Sequence, residues 1–142
     1  VGEFTAQRER EECIPIIKNN HLEPFVILHG QLHGASLDIL FERCDLGVGS
    51  LGRHRSGITN IKTLKNREYA ARGIPFIYSE IDEDFETMPY IMKIPANESS
   101  VDIQQVINFH NKIDLTPTKI RESIKQLSWK EQMKKVITSI KI

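Results

Sequence analysis

Short apolar runs alternate with stretches of helical periodicity along this chain. The apolar runs predict β-strands at Phe25–His29, Asp45–Val48, Pro75–Tyr78 and Tyr90–Ile94. Helices are predicted from about residue 6 to 20, at Ala35–Glu42, at Lys62–Arg72 with Gly73 as the stop, and from a cap at Ser99 or Ser100 to about residue 111. This alternation predicts an α/β fold, in which a parallel sheet carries helices on both faces.

Ligands of such sheets bind beyond the carboxyl ends of the strands. Three loops follow the first three predicted strands and are therefore the candidate ligand-binding loops: Gly30–Gly34, Gly49–Asn60 and Ser79–Phe85.

The pattern changes after residue 115, so we predict a main domain over residues 1–115 and C-terminal helices over residues 116–142. Thr116 and Pro117 form a cap followed by proline at the first helical position. Ser128 and Glu131 have the spacing of a capping box. The last helix combines an apolar stripe, which we expect to be incompletely buried, with a basic side: Met133, Val136, Ile137 and Ile140, and Lys130, Lys134, Lys135 and Lys141.

The 142 residues have the composition of an ordinary globular domain, with 39% hydrophobic and 27% charged residues. The 19 basic and 19 acidic residues cancel, which argues against a dedicated nucleic-acid binder. The charges are nevertheless segregated. Between Leu51 and Gly73 six basic residues accompany one acidic residue, whereas residues 80–86 include five acidic residues and no basic one. These segments are either solvated loops of opposite sign or local fields that select a charged ligand.

The cysteines and histidines do not predict a metal site. Cys13 and Cys44 lie near apolar residues, which predicts two reduced, buried thiols. His29 and His33 are four residues apart, but no cysteine or carboxylate completes a ligand set.

The most informative stretch runs from Lys65 to Ile77. Its pattern is a helix with small residues on one face, a glycine stop and a buried strand. Glu68 lies three residues after Lys65 and four before Arg72, so the three side chains share a helix face. Taken alone, Glu68 would be read as a member of a surface salt bridge.

This stretch resembles the "EAMACGxPVI" signature of retaining GT-B glycosyltransferases of the group 1 type. Two further segments are similar to that family in the same order and spacing: Phe25–Gly30 to its "VxFxG" strand, and Leu40–Val48 to its "LYxxADLxVxPS" segment. The resemblance covers roughly the first 77 residues. It implies a Rossmann-like domain, the C-terminal half of the GT-B fold, which binds the nucleotide-sugar donor.

The resemblance also assigns residues to the donor site. Glu68 matches the glutamate that hydrogen-bonds the ribose hydroxyls, and a carboxylate can accept from two hydroxyls at once. The family's first acidic residue falls on Asn60, which leaves its E-x7-E motif incomplete, although Asn60 can still bind a sugar hydroxyl. Arg53 and Arg55 are either a solvated loop or a diphosphate clamp. Lys65, near a helix start, adds to the attraction for phosphate, and Gly30 ends the first predicted strand.

Family resemblance implies a larger enzyme around this chain. Val1-Gly2-Glu3 resembles the family's "VGDG" strand end, so we expect the chain to begin inside the C-terminal domain and to be inactive without an N-terminal acceptor domain. The implied activity is hexosyl transfer in bacterial surface-polysaccharide synthesis, with a nucleoside diphosphate sugar as substrate and with no metal or other cofactor. We expect a cytoplasmic location, and the basic last helix also allows peripheral contact with the inner face of a membrane.

Two other functions stay open at this point. Gly47, Gly49 and Gly52 have the spacing of a dinucleotide-binding motif, as in a dehydrogenase, but the residues that follow lack a helical pattern. The chain could also be a non-catalytic interaction domain, but the basic loop and Glu68 would then have no common function. The sequence does not identify the donor sugar, the acceptor or the catalytic residues.

Overall fold

A computed structural model describes residues 7–140, apart from the side chains of residues 8 and 9. The resemblance at Val1–Glu3 and the lysine at position 141 lie outside the described residues. The chain divides into two compact units, Val1–Arg43 and Cys44–Ile142. Six α-helices and three strands occur among the described residues, so the fold is mixed α/β. The predicted boundary between residues 115 and 116 stays a prediction.

The first unit contains two helices, α1 (Gln7–Asn19) and α2 (Ala35–Glu42). Both were predicted, and the bounds of α2 agree fully with the apolar pattern. The predicted strand at Phe25–His29 is wrong, because this segment has no regular structure and the Phe25 side chain is 82% exposed. The backbone N–H groups of Phe25 and Val26 both donate to the carbonyl of Leu22, which is a turn and not a strand ladder.

The second unit contains a three-stranded parallel sheet in the order β1-β2-β3, with β1 at Gly47–Val48, β2 at Phe76–Tyr78 and β3 at Ile91–Lys93. Gly47 pairs with Phe76, and Phe76 pairs with Ile91. The three predicted strands of this unit are confirmed, each shorter than its apolar run. The carboxyl ends of all three strands therefore lie at one edge of the sheet.

Helices pack on both faces of β2 through two separate apolar clusters. Successive side chains of a strand point to opposite faces. Phe76 belongs to a cluster with Ala70 of α3 (Leu64–Arg72) and Ile120 of α5 (Pro117–Ser123). Ile77 belongs to a second cluster with Val106 of α4 (Ile103–Lys112). The helices thereby shield the middle strand from water on both sides.

Two glycines allow the close packing of α3. A Cβ atom at Gly47 would lie 2.6 Å from the Tyr69 ring, which packs directly over β1. Gly73 ends α3 in the left-handed conformation, with φ at 78°, as the sequence predicts. A Cβ atom there would also lie 2.6 Å from atoms of Pro117 in α5. Both the backbone conformation and the neighbouring helix therefore require glycine at position 73.

The caps of the later helices are in part those that the sequence predicts. Thr116 caps α5 and its hydroxyl accepts from the Lys119 N–H at 3.3 Å. α4 begins later than predicted, because Asp102 and not Ser99 or Ser100 accepts from the Gln105 N–H, at 3.1 Å. Asp102 directly precedes the first helical residue, Ile103, which is the position from which a side-chain oxygen caps a helix.

The last helix, α6 (Trp129–Ile140), presents its apolar stripe to the surface. The exposure of the stripe agrees with the prediction that it is incompletely buried: Met133 46%, Val136 46%, Ile137 56% and Ile140 68%. Ser128 accepts a long hydrogen bond from the Glu131 N–H at 3.4 Å, which is one half of the predicted capping box. None of the helices in the described range is long and apolar enough to cross a membrane.

Candidate functional site

The loops that follow β1 and β2 are joined where the strands end. The Ser79 N–H donates to the Ser50 carbonyl at 3.0 Å, and the Arg53 N–H donates to the Glu80 carboxylate at 2.7 Å. Further along the same loops, the N–H of Ile81 donates to the carbonyl of Thr59 at 2.8 Å. The two candidate ligand-binding loops of this unit therefore form one continuous surface beyond the sheet.

Lys93, at the end of β3, joins the same edge. Its ammonium group contacts the Glu80 carbonyl, donates to the Glu86 carboxylate at 2.9 Å and lies 4.3 Å from the centre of the Tyr78 ring. Burial works to raise the pKa of Glu86, but the bonds donated by Lys93, the Asp82 N–H and Tyr78 outweigh it and lower that pKa. All three strand ends are thus linked by polar contacts.

The basic and acidic segments of the sequence bond to each other. Arg67 donates to Asp82 at 3.1 Å and also contacts Asp84, while Lys62 lies 3.8 Å from Glu83. These pairs tie α3 and the residues before it to the loop after β2. The two segments are therefore in contact and each neutralises part of the other, while Lys62 and Glu83 remain exposed to solvent.

The deepest part of this network is a buried amide–carboxylate pair. Asn66 and Asp82 are both fully buried, and the Asn66 amide donates to Asp82 at 3.0 Å. The Asn66 carbonyl oxygen has no hydrogen-bond partner among the described residues. The pair fixes the position of α3 relative to the loop after β2, because neither side chain can turn to water.

The predicted donor-site residues of the second unit lie in the segment that runs from the loop after β1 into α3. Arg53 and Arg55 lie on a short 3-10 helix, Arg53–Ser56, and both side chains are exposed. Asn60 pairs with Ile81 in an isolated parallel bridge. Lys65 is exposed in the first turn of α3, while Gly30 belongs to the other unit.

Glu68 lies on the surface of α3, where its carboxylate accepts from the Arg72 guanidinium at 2.6 Å. Its side chain is 48% exposed. This is the salt bridge that the spacing indicates, and a solvent-accessible carboxylate on a helix is also available to a ligand. The ribose-binding role stays a prediction.

Arg55 is held by a residue that the sequence did not single out. Its Nε donates to Glu98 at 2.8 Å and its terminal nitrogen contacts the second carboxylate oxygen. His54 lies 2.9 Å from the same carboxylate. Arg55 first and His54 second lower the pKa of Glu98 to about 2. The carboxylate therefore remains ionised at all physiological pH values.

A shallow cavity of about 190 Å³ lies beside this edge, lined by Asn60, Ile61, Lys62, Ile81 and Glu83. Pockets that enclose a nucleotide-sized ligand have volumes of about 300–1,000 Å³. The cavity is thus large enough for one sugar or phosphate group but not for a whole nucleotide sugar. In the part of the chain that the structure describes, His, Cys, Asp and Glu side chains form no group of three that could hold a metal ion.

Two further sequence predictions concern the cysteines and a glycine-rich segment. Cys44 is exposed and Cys13 is half-buried, so the prediction of two buried thiols is wrong, although neither cysteine forms a disulfide bond. Cys44 lies between α2 and β1 in the chain. The glycine spacing at Gly47, Gly49 and Gly52 is followed by the 3-10 helix and not by an α-helix, as expected for a chain without a dinucleotide fingerprint.

Sequence reasoning did not identify Asn66 and Glu98, and it included Glu80 and Asp82 only as members of an acidic candidate loop. A signal for Asp82 and Glu80 was available, because acidic residues directly after a buried strand lie at the edge where α/β ligands bind. Glu98 had no local signal, since it lies 43 positions from Arg55.

No protein-family model, curated protein or solved structure matches this chain.

Proposed function

We propose that this chain is the nucleotide-sugar-binding part of a retaining GT-B glycosyltransferase, with a Rossmann-like sheet as its scaffold. The observation that carries the proposal is the stretch from Lys65 to Ile77. It resembles the family signature in sequence, and it folds as a helix, a left-handed glycine stop and a buried parallel strand. Its helix begins at the edge of the sheet where ligands of α/β folds bind.

The charges at this edge support a diphosphate as part of the ligand. Arg53 and Lys65 are exposed, and neither side chain has an ion-pair partner within the described range. Guanidinium forks fit phosphate oxygens, and helix N-termini attract anions. Both cations are therefore available to neutralise a leaving diphosphate, which is how an enzyme without a metal would stabilise the transition state.

Glu68 is the residue that we assign to the ribose. A half-exposed carboxylate can exchange its Arg72 contact for two ribose hydroxyls, because surface ion pairs contribute at most about 1 kcal/mol. Asn60 is assigned to a sugar hydroxyl, since it lines the small cavity. Acceptor recognition and bacterial polysaccharide synthesis remain parts of the proposal that rest on the resemblance alone.

A binding panel of nucleoside diphosphates tests the proposal directly. Isothermal titration calorimetry should detect one preferred base. We expect Glu68→Ala to weaken that ligand by about tenfold to a hundredfold, since hydrogen bonds to a charged group contribute about 1.5–3 kcal/mol. Glu122→Ala is the matched control, because Glu122 is also an exposed helical carboxylate, and it pairs with Lys125 three residues further along the chain.

The ribose assignment has its own readout. The wild-type chain should prefer a ribonucleoside diphosphate over its 2′-deoxy form, and Glu68→Ala should remove that preference while Glu122→Ala keeps it. Absence of binding across the whole panel, or a preference for ribose that survives Glu68→Ala, would contradict the proposed function.

A further inference from the structure

The contact between Glu98 and the loop after β1 links two outer strands of the sheet. His54 and Arg55 follow β1, and Glu98 follows β3. Because β2 lies between these strands, the contact spans the carboxyl end of β2, where Ser79 and Glu80 are located. Glu98 therefore closes a bridge over the edge at which we place the ligand.

The donors of this bridge form the arrangement that binds phosphate in proteins. Arg55 presents two nitrogen atoms to the two oxygens of the Glu98 carboxylate, and His54 adds a third contact at 2.9 Å. A bidentate guanidinium with an adjacent imidazole recognises a planar carboxylate and a phosphate group through the same hydrogen bonds.

The bridge is also accessible and replaceable. The side chains of Arg55 and Glu98 are 62% and 63% exposed, so a dissolved anion can reach the donors without any change in the fold. Exposed ion pairs are weak, because water and salt screen both charges. An incoming group that carries two negative charges competes well against a single carboxylate held this weakly.

Below the bridge, the loop that carries the donors is anchored. Glu80 is buried with 2% exposure and holds the Arg53 N–H at 2.7 Å, at the first residue of the 3-10 helix. The Ser50 carbonyl accepts bonds from the N–H and hydroxyl of Ser79. Departure of Glu98 would therefore leave His54 and Arg55 in place on a fixed backbone.

We propose that His54 and Arg55 form a phosphate-binding site that Glu98 occupies in the ligand-free protein, and that a diphosphate binds by displacing the Glu98 carboxylate. Glu98 is in this sense an internal competitor that lowers the affinity for phosphate ligands. The identity of the ligand as a nucleoside diphosphate rests on the proposed function, whereas the displacement itself concerns only the anion.

The test measures the dissociation constant of inorganic pyrophosphate by calorimetry at low salt. Glu98→Gln should bind pyrophosphate about threefold to tenfold more tightly than wild type, since it removes a weak competing contact and a like charge. Glu122→Gln is the matched control, because it removes the same charge from an exposed ion pair with Lys125 that lies outside the strand-end loops. It should leave the affinity within about twofold of wild type.

A second variant separates displacement from general charge effects. In an Arg55→Gln background, Glu98→Gln should give no further gain. The proposal is overturned if Glu98→Gln binds no more tightly than Glu122→Gln, if the gain persists without Arg55, or if no variant binds pyrophosphate. Circular dichroism verifies that each variant is folded, and the comparison of Glu98→Gln with Glu122→Gln remains decisive if Arg55→Gln is unstable.

The nucleotide panel distinguishes the two proposals from each other. Pyrophosphate binding that responds to Glu98→Gln, with no nucleoside diphosphate bound, supports the anion site and contradicts the donor-binding function. Ribose-dependent nucleotide binding that is unchanged by Glu98→Gln supports the function and overturns the displacement.

Discussion

Removal of the Asp82 carboxylate should destabilise this protein more than any other change in the loop after β2. Asp82 accepts from the Asn66 amide at 3.0 Å and from two Arg67 nitrogens at 3.1 and 3.3 Å, and it is fully buried. In Asp82→Ala the buried Asn66 amide loses its only described acceptor, which costs about 1–3 kcal/mol. Arg67 keeps its contact with Asp84 and partial access to water, so the loss of its bonds to Asp82 contributes less to the destabilisation.

Together these losses predict a fall in the free energy of unfolding of about 3–5 kcal/mol, the range measured when one partner of a buried ion pair is removed. This is a large part of the total stability of a domain, which is about 5–15 kcal/mol. Urea unfolding followed by circular dichroism measures the change. Asp82→Asn keeps the shape and one acceptor oxygen, so we expect an intermediate loss.

Glu83→Ala is the control for this measurement, because Glu83 is 78% exposed and lies 3.8 Å from Lys62. A surface pair of this kind contributes less than about 1 kcal/mol. If Asp82→Ala costs no more than Glu83→Ala, then the buried network does not hold the loop, and the argument that α3 and the strand end are fixed together is refuted.

Two further predictions concern α3 and the tyrosines. Gly73→Ala should lower the free energy of unfolding by at least about 1–2 kcal/mol, because φ at 78° disfavours a Cβ atom and Pro117 lies 2.6 Å from its position. Gly52→Ala is the control, because a Cβ atom there meets no atom within 4 Å, and it should change the melting temperature little. Equal effects of the two substitutions would contradict this prediction. Burial raises the pKa of all three tyrosines, and a hydrogen bond to Glu86 adds to it at Tyr78. Stability should therefore be fully present below the ordinary phenol pKa of about 10 and fall above it, since only the unfolded chain then releases these protons. Absorbance at 295 nm should rise only together with loss of the circular dichroism signal, and a normal titration near pH 10 in the folded chain would show the tyrosines to be accessible.

Local signals in the sequence were sufficient for much of the second unit. Helix α3, its stop at Gly73 and the strand that follows all depend on residues within one or two turns of each other. The Thr116 cap is equally local. Such features can be predicted because side-chain periodicity, a left-handed glycine and a capping hydroxyl act through neighbouring backbone groups.

The failures have a different physical origin. An apolar run at Phe25–His29 is compatible with a strand, but a strand exists only where a neighbour supplies hydrogen bonds, and that partner is not encoded in the run itself. The exposure of Cys44 likewise depends on what packs over it. Apolar composition specifies a preference for burial, whereas the tertiary structure decides whether a burial site is available.

The sequence by itself determined the α/β class, most helix and strand positions in the second unit, and the stretch that resembles a donor-binding signature. Only the tertiary structure decided which charges meet. Arg67 reaches Asp82 across 15 positions and Arg55 reaches Glu98 across 43, and neither distance has a signature in a single sequence. Charged side chains at the edge of the sheet pair with residues that are distant in the sequence. The cations that remain available to a ligand can therefore be identified only from the tertiary structure.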